Sequence, residues 1–115
     1  MTNKKIAVPV DRQGRLEEHF GHAEWFALME IEDSRIKLAE NATPPPHKPG
    51  VFPKWLAEQG VTDVIAGNIG DKAVKVLERH HIRVIVGAPK LKVADLVQKH
   101  LIGSLELNAN SCHRH

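Results

Sequence analysis

Apolar residues alternate along Lys5 to Val10, around Ile6, Val8 and Val10, with Pro9 near the end, and this period of two predicts a strand. Trp25 to Glu32 begins apolar and then alternates through Glu30, Ile31 and Glu32, a second strand. Arg35 to Glu40 places Ile36 and Leu38 on one side and Arg35, Lys37 and Ala39 on the other. Asp33-Ser34 between these two runs predicts a hairpin turn, so the strands of the first half should pair antiparallel. Thr43-Pro44-Pro45-Pro46-His47-Lys48-Pro49-Gly50 follows, and consecutive prolines can continue neither a helix nor a sheet ladder. This predicts a stiff, extended surface loop. It is not a domain boundary, because the residues before it offer three strands at most and nothing to cover them.

From Val51 the period changes. Phe52, Trp55 and Leu56 lie at helical spacing, Pro53 suits a first turn, and Gly60 is a natural stop. Val61 to Ala66 predicts a short buried strand. Asp71 to His81 carries Ala73, Val76, Leu77 and His80 at the spacing of an amphipathic helix. Arg83 to Val86 predicts another strand, ended by Gly87-Ala88-Pro89, and Val93, Leu96, Val97 and Leu101 mark a third helix closed by Gly103. Strand–helix–strand–helix implies parallel pairing through right-handed crossovers. The expected architecture is α/β: a mixed sheet of about five strands, antiparallel first and parallel later, covered by about three helices.

Composition narrows the class. A chain of 115 residues with 42% hydrophobic and 26% charged residues fits one soluble globular unit, here residues 1–107, followed by a Cys/His tail over 108–115. The single cysteine, Cys112, excludes an internal disulfide and a cysteine-only metal cage. The N-terminal apolar run is too short for a signal peptide or a membrane span, so no membrane and a cytoplasmic location are expected. Sixteen Lys+Arg against 14 Asp+Glu, interspersed, and an absence of Tyr argue against nucleic acid as a partner.

The eight histidines change the picture, because imidazole is the commonest metal ligand. His19 and His22, in His19-Phe20-Gly21-His22-Ala23, can share a side if that turn is helical, although on local sequence alone a capped turn with exposed imidazoles is the stronger default. In the tail, Cys112, His113 and His115 form a soft chelating set suited to zinc, copper or iron–sulfur species, and the bland alternative is a frayed end. His47 is presented by a proline-stiffened backbone. Gly67 and Gly70, in Ala66-Gly67-Asn68-Ile69-Gly70-Asp71, form a strand–turn–helix whose free N–H groups can meet an anion, or simply a close-packed turn; it is neither a P-loop nor GxGxxG. His80, His81 and His100 fall in the last turns of predicted helices, where the dipole favours a cation, and are assigned no function. Catalytic machinery is sparse: Ser34, Ser104 and Ser111 lack a nucleophile-elbow context, and Asp11 finds no convincing partner acids for a metal nuclease. An enzyme is not expected.

Taken together, several stretches resemble the dinitrogenase iron–molybdenum cofactor biosynthesis family, the NifX/NafY group and the C-terminal domain of NifB. They are Ile6-Ala7-Val8-Pro9-Val10, His19-Phe20-Gly21-His22-Ala23 with Phe26, and His47 through Pro49-Gly50 to Pro53 and Leu56. They continue in Val64-Ile65-Ala66-Gly67 with Gly70 and Ala73, Gly103 with Leu105, and Asn110 before Cys112 and a histidine. The resemblance implies a ribonuclease H-like fold without nuclease activity. It also implies a small binding, storage or carrier protein for an iron–sulfur or iron–molybdenum–sulfur cluster, with cluster-biosynthesis or acceptor proteins as partners. On that pattern His19, His47, Cys112 and His113 or His115 fall on ligand-competent positions. The chain departs from the pattern at Asn68, at Pro89-Lys90-Leu91-Lys92 and in the spacing of the tail histidines. Two other classes remain open from the residues alone: a zinc or copper module built on Cys112, His113 and His115, and an interaction or regulatory module without an inorganic ligand.

Overall fold

The computed structural model describes residues 4–46, 48 and 50–107. Five strands form one mixed sheet: β1 (Lys4–Val10), β2 (Trp25–Glu32), β3 (Arg35–Ala42), β4 (Asp63–Ile65) and β5 (Arg83–Ile85), in the order β3-β2-β1-β4-β5. β1 pairs antiparallel with β2, and β2 with β3, whereas β1–β4 and β4–β5 are parallel. Three helices, α1 (Val51–Glu58), α2 (Asp71–Arg79) and α3 (Val93–Leu101), complete the α/β architecture read from the sequence.

The strand period distributes the core between the two faces of the sheet. From β1, Ala7 joins Phe26, Leu28 and Val64 beneath Phe52 and Leu56 of α1 and Val74 and Leu77 of α2. Its neighbours Ile6, Val8 and Val10 join Ala27, Met29 and Ile31 beneath Val93, Leu96 and Val97 of α3. β1 is therefore covered on both sides, so Ala7 and Pro9 are buried as well as the alternating Ile6, Val8 and Val10.

Two sequence expectations need correction. Ile36 and Leu38 do not share a side, because the β2–β3 register shifts between Glu30 and Ile31, where Glu30 pairs with Leu38 but Ile31 pairs with Ile36. Lys37 is the extra residue of this bulge, so Ile36 packs with the α3-side core while Leu38 remains 50% exposed. In α2 the buried residues are Val74 and Leu77, with Ala73 half-buried; His80 is exposed beyond the helix end, so the apolar stripe stops one turn earlier than its spacing predicts.

All three helices end in the same way. Val61 N–H donates to Leu56 O at 3.1 Å, Ile82 N–H to Leu77 O at 3.0 Å and Ser104 N–H to Lys99 O at 2.8 Å. Each bond crosses a left-handed residue, and these are Gly60, His81 and Gly103 with φ of 80°, 62° and 76°. Glycine adopts this conformation freely, whereas a Cβ there meets steric resistance of roughly 1–2 kcal/mol. His81→Gly should therefore raise unfolding stability by ~0.5–1 kcal/mol, the relief being partly offset by glycine's greater unfolded-state entropy. Urea denaturation of the two proteins measures it, and a destabilised variant would mean that the imidazole supplies more than the turn geometry shows.

Candidate functional site

The chain leaving β1 makes a tight turn built on Asp11. The Asp11 carboxylate accepts the Gln13 and Arg15 N–H groups on Oδ1 at 2.9 and 3.0 Å, and its other oxygen lies 3.6 Å from Lys90 Nζ. Desolvation alone would raise the Asp11 pKa, but the Arg15 and Gln13 N–H bonds and the Lys90 charge outweigh it, and the net shift is downward. This aspartate is thus a turn-former engaged on both oxygens, which accounts for its place at the end of β1 without nuclease chemistry.

Residues 16–19 then run back across the sheet. Leu16 N–H donates to Leu91 O at 2.9 Å, Asn68 N–H to Glu18 O at 2.7 Å and Phe20 N–H to Asn68 O at 3.0 Å. The last two bonds make a parallel bridge between His19 and Asn68. His19 is held in this way against the turn that follows β4.

Phe20–His22 forms a 3₁₀ turn with His19 at its N-cap. Residues three apart eclipse each other in that geometry. The His19 and His22 rings accordingly stand 5.1 Å apart at 57°, both on exposed residues. The turn between them is anchored by Phe20, whose ring meets Phe26 of β2 at 5.5 Å and Phe52 of α1 at 6.0 Å, both edge-on. Phe26 and Phe52 close the triangle at 5.5 Å.

The two glycines of the β4–α2 turn play different parts. Gly67 is buried, and a Cβ on it would meet Glu18 O at 3.2 Å and Leu16 Cδ2 at 3.3 Å. Its small size lets the 16–18 segment lie against the end of β4. Gly70 caps α2 with φ −70° and ψ 151°, and its Cβ position is open. The pair of imidazoles and this turn therefore meet beyond the carboxyl ends of β1 and β4, at the point where the chain departs in opposite directions from two parallel strands. Open α/β sheets bind ligands in that crevice.

His47, Cys112, His113 and His115 lie outside the described residues. The chain on either side of His47 is nevertheless anchored at this end of the molecule. Ala42, which precedes the proline-rich loop, pairs with Phe26, and Phe52, which follows it, packs on Phe20. Among the described residues no group of three or more His, Cys, Asp or Glu side chains could hold a metal ion, and His19 and His22 stand as a pair. His80 and His81 belong to the end of α2, and His100 to the last turn of α3. Burial lowers the His100 pKa; Lys4 and Arg83 act in the same sense, against the nearby Asp63. Those neighbours belong to the starts of β1, β5 and β4, at the opposite pole from His19. The Asn68 bridge was not legible as a positioning element, because backbone pairing between distant loops leaves no periodic signal. Among the described residues no helix is long and apolar enough to cross a membrane.

Comparison with known proteins agrees with this fold. The family described as dinitrogenase iron-molybdenum cofactor matches residues 2–103. The uncharacterized protein MJ0580 of Methanocaldococcus jannaschii is 37% identical over 107 residues, covering 89% of each chain. The crystal structure of PH0822 superposes with a TM-score of 0.87 at 24% identity, covering 94% of this chain and 99% of that one. The apo form of the orange protein from Desulfovibrio gigas superposes with a TM-score of 0.76 at 25% identity, covering 92% of this chain and 93% of its own.

Two outcomes follow from the site's construction. Gly67→Ala should destabilise the fold by ~1–3 kcal/mol through overpacking, whereas Gly70→Ala should stay within about 0.5 kcal/mol of the parent, as chemical denaturation will show. Asp11 contributes its full stabilisation above the ordinary carboxylate pKa of ~3.9 and loses it as pH falls through the lowered folded value. Asp11→Ala should therefore be less stable than the parent at neutral pH, with the gap closing in denaturation curves taken below about pH 4.

Proposed function

The chain belongs to the dinitrogenase iron–molybdenum cofactor family, and on that premise we propose that it is a non-catalytic carrier of an iron–sulfur or iron–molybdenum–sulfur cluster. One observation carries the reading: two imidazoles 5.1 Å apart stand exposed over the carboxyl ends of parallel strands, locked there by the His19–Asn68 bridge. A carrier must bind its cargo firmly enough to protect it and loosely enough to surrender it. An exposed pair of nitrogen donors, completed by side chains from other segments, suits that requirement better than a closed four-ligand cage, which is the mark of a structural metal site.

The completing donors in this reading are His47, Cys112 and His113 or His115. His47 belongs to a loop that begins and ends beside the Phe20–Phe26–Phe52 triangle, and the tail begins immediately after Leu107. Thiolate and imidazole are the ligand types that iron and other sulfide-bound metals prefer. A sulfide-rich cluster is an anion, and Lys48 and Arg114 are the cations we assign to balancing it, Lys90 being already paired with Asp11. The Gly67 and Gly70 N–H groups are the secondary contacts, that of Asn68 being bonded to Glu18 O. The orange protein is described in an apo form, which presupposes a form that carries a ligand; we extend that property to this chain. The cytoplasm, whose reducing conditions keep Cys112 a free thiol, is the compartment that fits, with cluster-building or cluster-accepting proteins as partners.

Anaerobic reconstitution of the full chain with iron and sulfide tests the proposal. Visible charge-transfer absorption should develop with stoichiometric iron and acid-labile sulfide. His19→Ala and Cys112→Ala should each weaken uptake by about tenfold or more, since loss of a mere outer-shell partner already weakens metal binding on that scale. Undiminished uptake in both variants would overturn the site. Zinc or copper without sulfide, in protein purified with no metal-affinity step, would replace the cluster with a simple metal ion.

A further inference from the structure

Beside the histidine pair, on the other side of the Gly67–Asn68 turn, lies a cleft of about 770 Å³. Its walls come from four stretches of chain, represented by Glu18, Asn68, Lys90 and Leu107 with their neighbours. Glu18 and Asn68 also form the backbone bridge that holds His19, so the cleft and the histidine pair share a rim. The charged residues in the lining balance, Lys90 and Lys99 against Glu18 and Glu106, and apolar side chains stand between them. Lys90 is also paired with Asp11 at 3.6 Å. A neutral, mixed lining suits a polypeptide segment better than a free anion, which would select a surplus of positive charge.

We propose that this cleft is the bed of the chain's own residues 108–115. The occupant is argued from where the chain leads. Ser104–Leu107 form one wall, Leu107 is 44% exposed there, and the next residues are Asn108-Ala109-Asn110-Ser111-Cys112-His113-Arg114-His115. Asn108, Asn110 and Ser111 bring amide and hydroxyl groups that bond readily to backbone. The five residues from Asn108 to Cys112 span at most about 18 Å when extended. Asn68 lines the same cleft as the Ser104–Leu107 stretch from which the segment departs, and the reach falls short of the molecule's smallest breadth of 28 Å. A tethered segment also binds at a high effective concentration, so modest contacts suffice to hold it, and a separate peptide or a second copy competes poorly. Seated in the cleft, the segment carries Cys112 to the rim occupied by His19. The consequence for cargo rests on the carrier reading; the docking itself does not.

The single native cysteine makes the test direct. Asn68→Cys and Glu18→Cys each add a thiol to the lining of the cleft, while Lys75→Cys adds one on the exposed face of α2. A disulfide requires Cα atoms within about 4.4–6.8 Å. Mild oxidation of the full chain with diamide, without iron, should produce an intramolecular disulfide several-fold faster in Asn68→Cys and Glu18→Cys than in Lys75→Cys. Non-reducing electrophoresis and the mass loss of two hydrogens read the product. Equal rates in all three, or disulfide-linked dimers as the main product of the cleft variants, would overturn the docking. Should Asn68→Cys fail to fold, Glu18→Cys decides alone. A cross-link in a chain that takes up no iron and sulfide upholds the docking and sinks the carrier reading, while uptake without a cross-link does the reverse.

Discussion

The edge-on contact of Phe20, Phe26 and Phe52 is the interaction on which the candidate site depends. Each ring comes from a different part of the architecture: a loop turn, the sheet and the first turn of α1. All three residues are nearly inaccessible to solvent. Such contacts contribute ~0.5–1.5 kcal/mol per pair beyond the burial itself, and their geometry is directional. The triangle therefore does more than fill space. It sets where the His19–His22 turn stands relative to the helix that ends the proline-rich loop, and so brings together stretches of chain that lie some thirty positions apart in sequence.

The sheet provides the second constraint. β1 is the hinge between its antiparallel and parallel halves, with β2 on one flank and β4 on the other. Chains leaving β1 and β4 at the same end must diverge, and the crevice between them is where His19 meets Asn68. Gly67 makes the approach possible because no side chain intervenes between β4 and the 16–18 segment. Fold and site are thus one construction: the strand order creates the gap, small size at Gly67 narrows it, and the backbone bridge fixes what stands in it. The exposed imidazole pair on this rim is the feature from which the proposed carrier role is argued.

Most of the fold was legible along the chain, and the exceptions have identifiable causes. The alternation in β1 and β2, the helical spacing of α3 and the stops at Gly60 and Gly103 all correspond to what the structure contains. The sidedness of β3 does not, because a bulge at Lys37 reverses every alternation beyond it, and a bulge has no periodic signature. α2 ends before its apolar spacing does, since His81 takes a left-handed conformation that glycine usually supplies. The histidine pair was legible as a conditional statement only. Its spacing required a helical turn to bring the rings together, and tertiary packing of Phe20 supplies that turn.

The primary chain by itself determined the elements, their order and the residue types capable of holding a metal, because periodicity, proline and glycine act locally. It also carried the family, through a succession of short motifs spread along nearly its whole length. Only the tertiary structure decided which of those residues share a surface. His19 and His22 meet because a 3₁₀ turn and an aromatic triangle orient them, whereas His80, His81 and His100 are directed elsewhere by the ends of α2 and α3. Proximity between distant loops depends on strand order and on backbone bonds such as those joining residues 18–20 to Asn68, and long-range pairing of that kind is written in no local pattern.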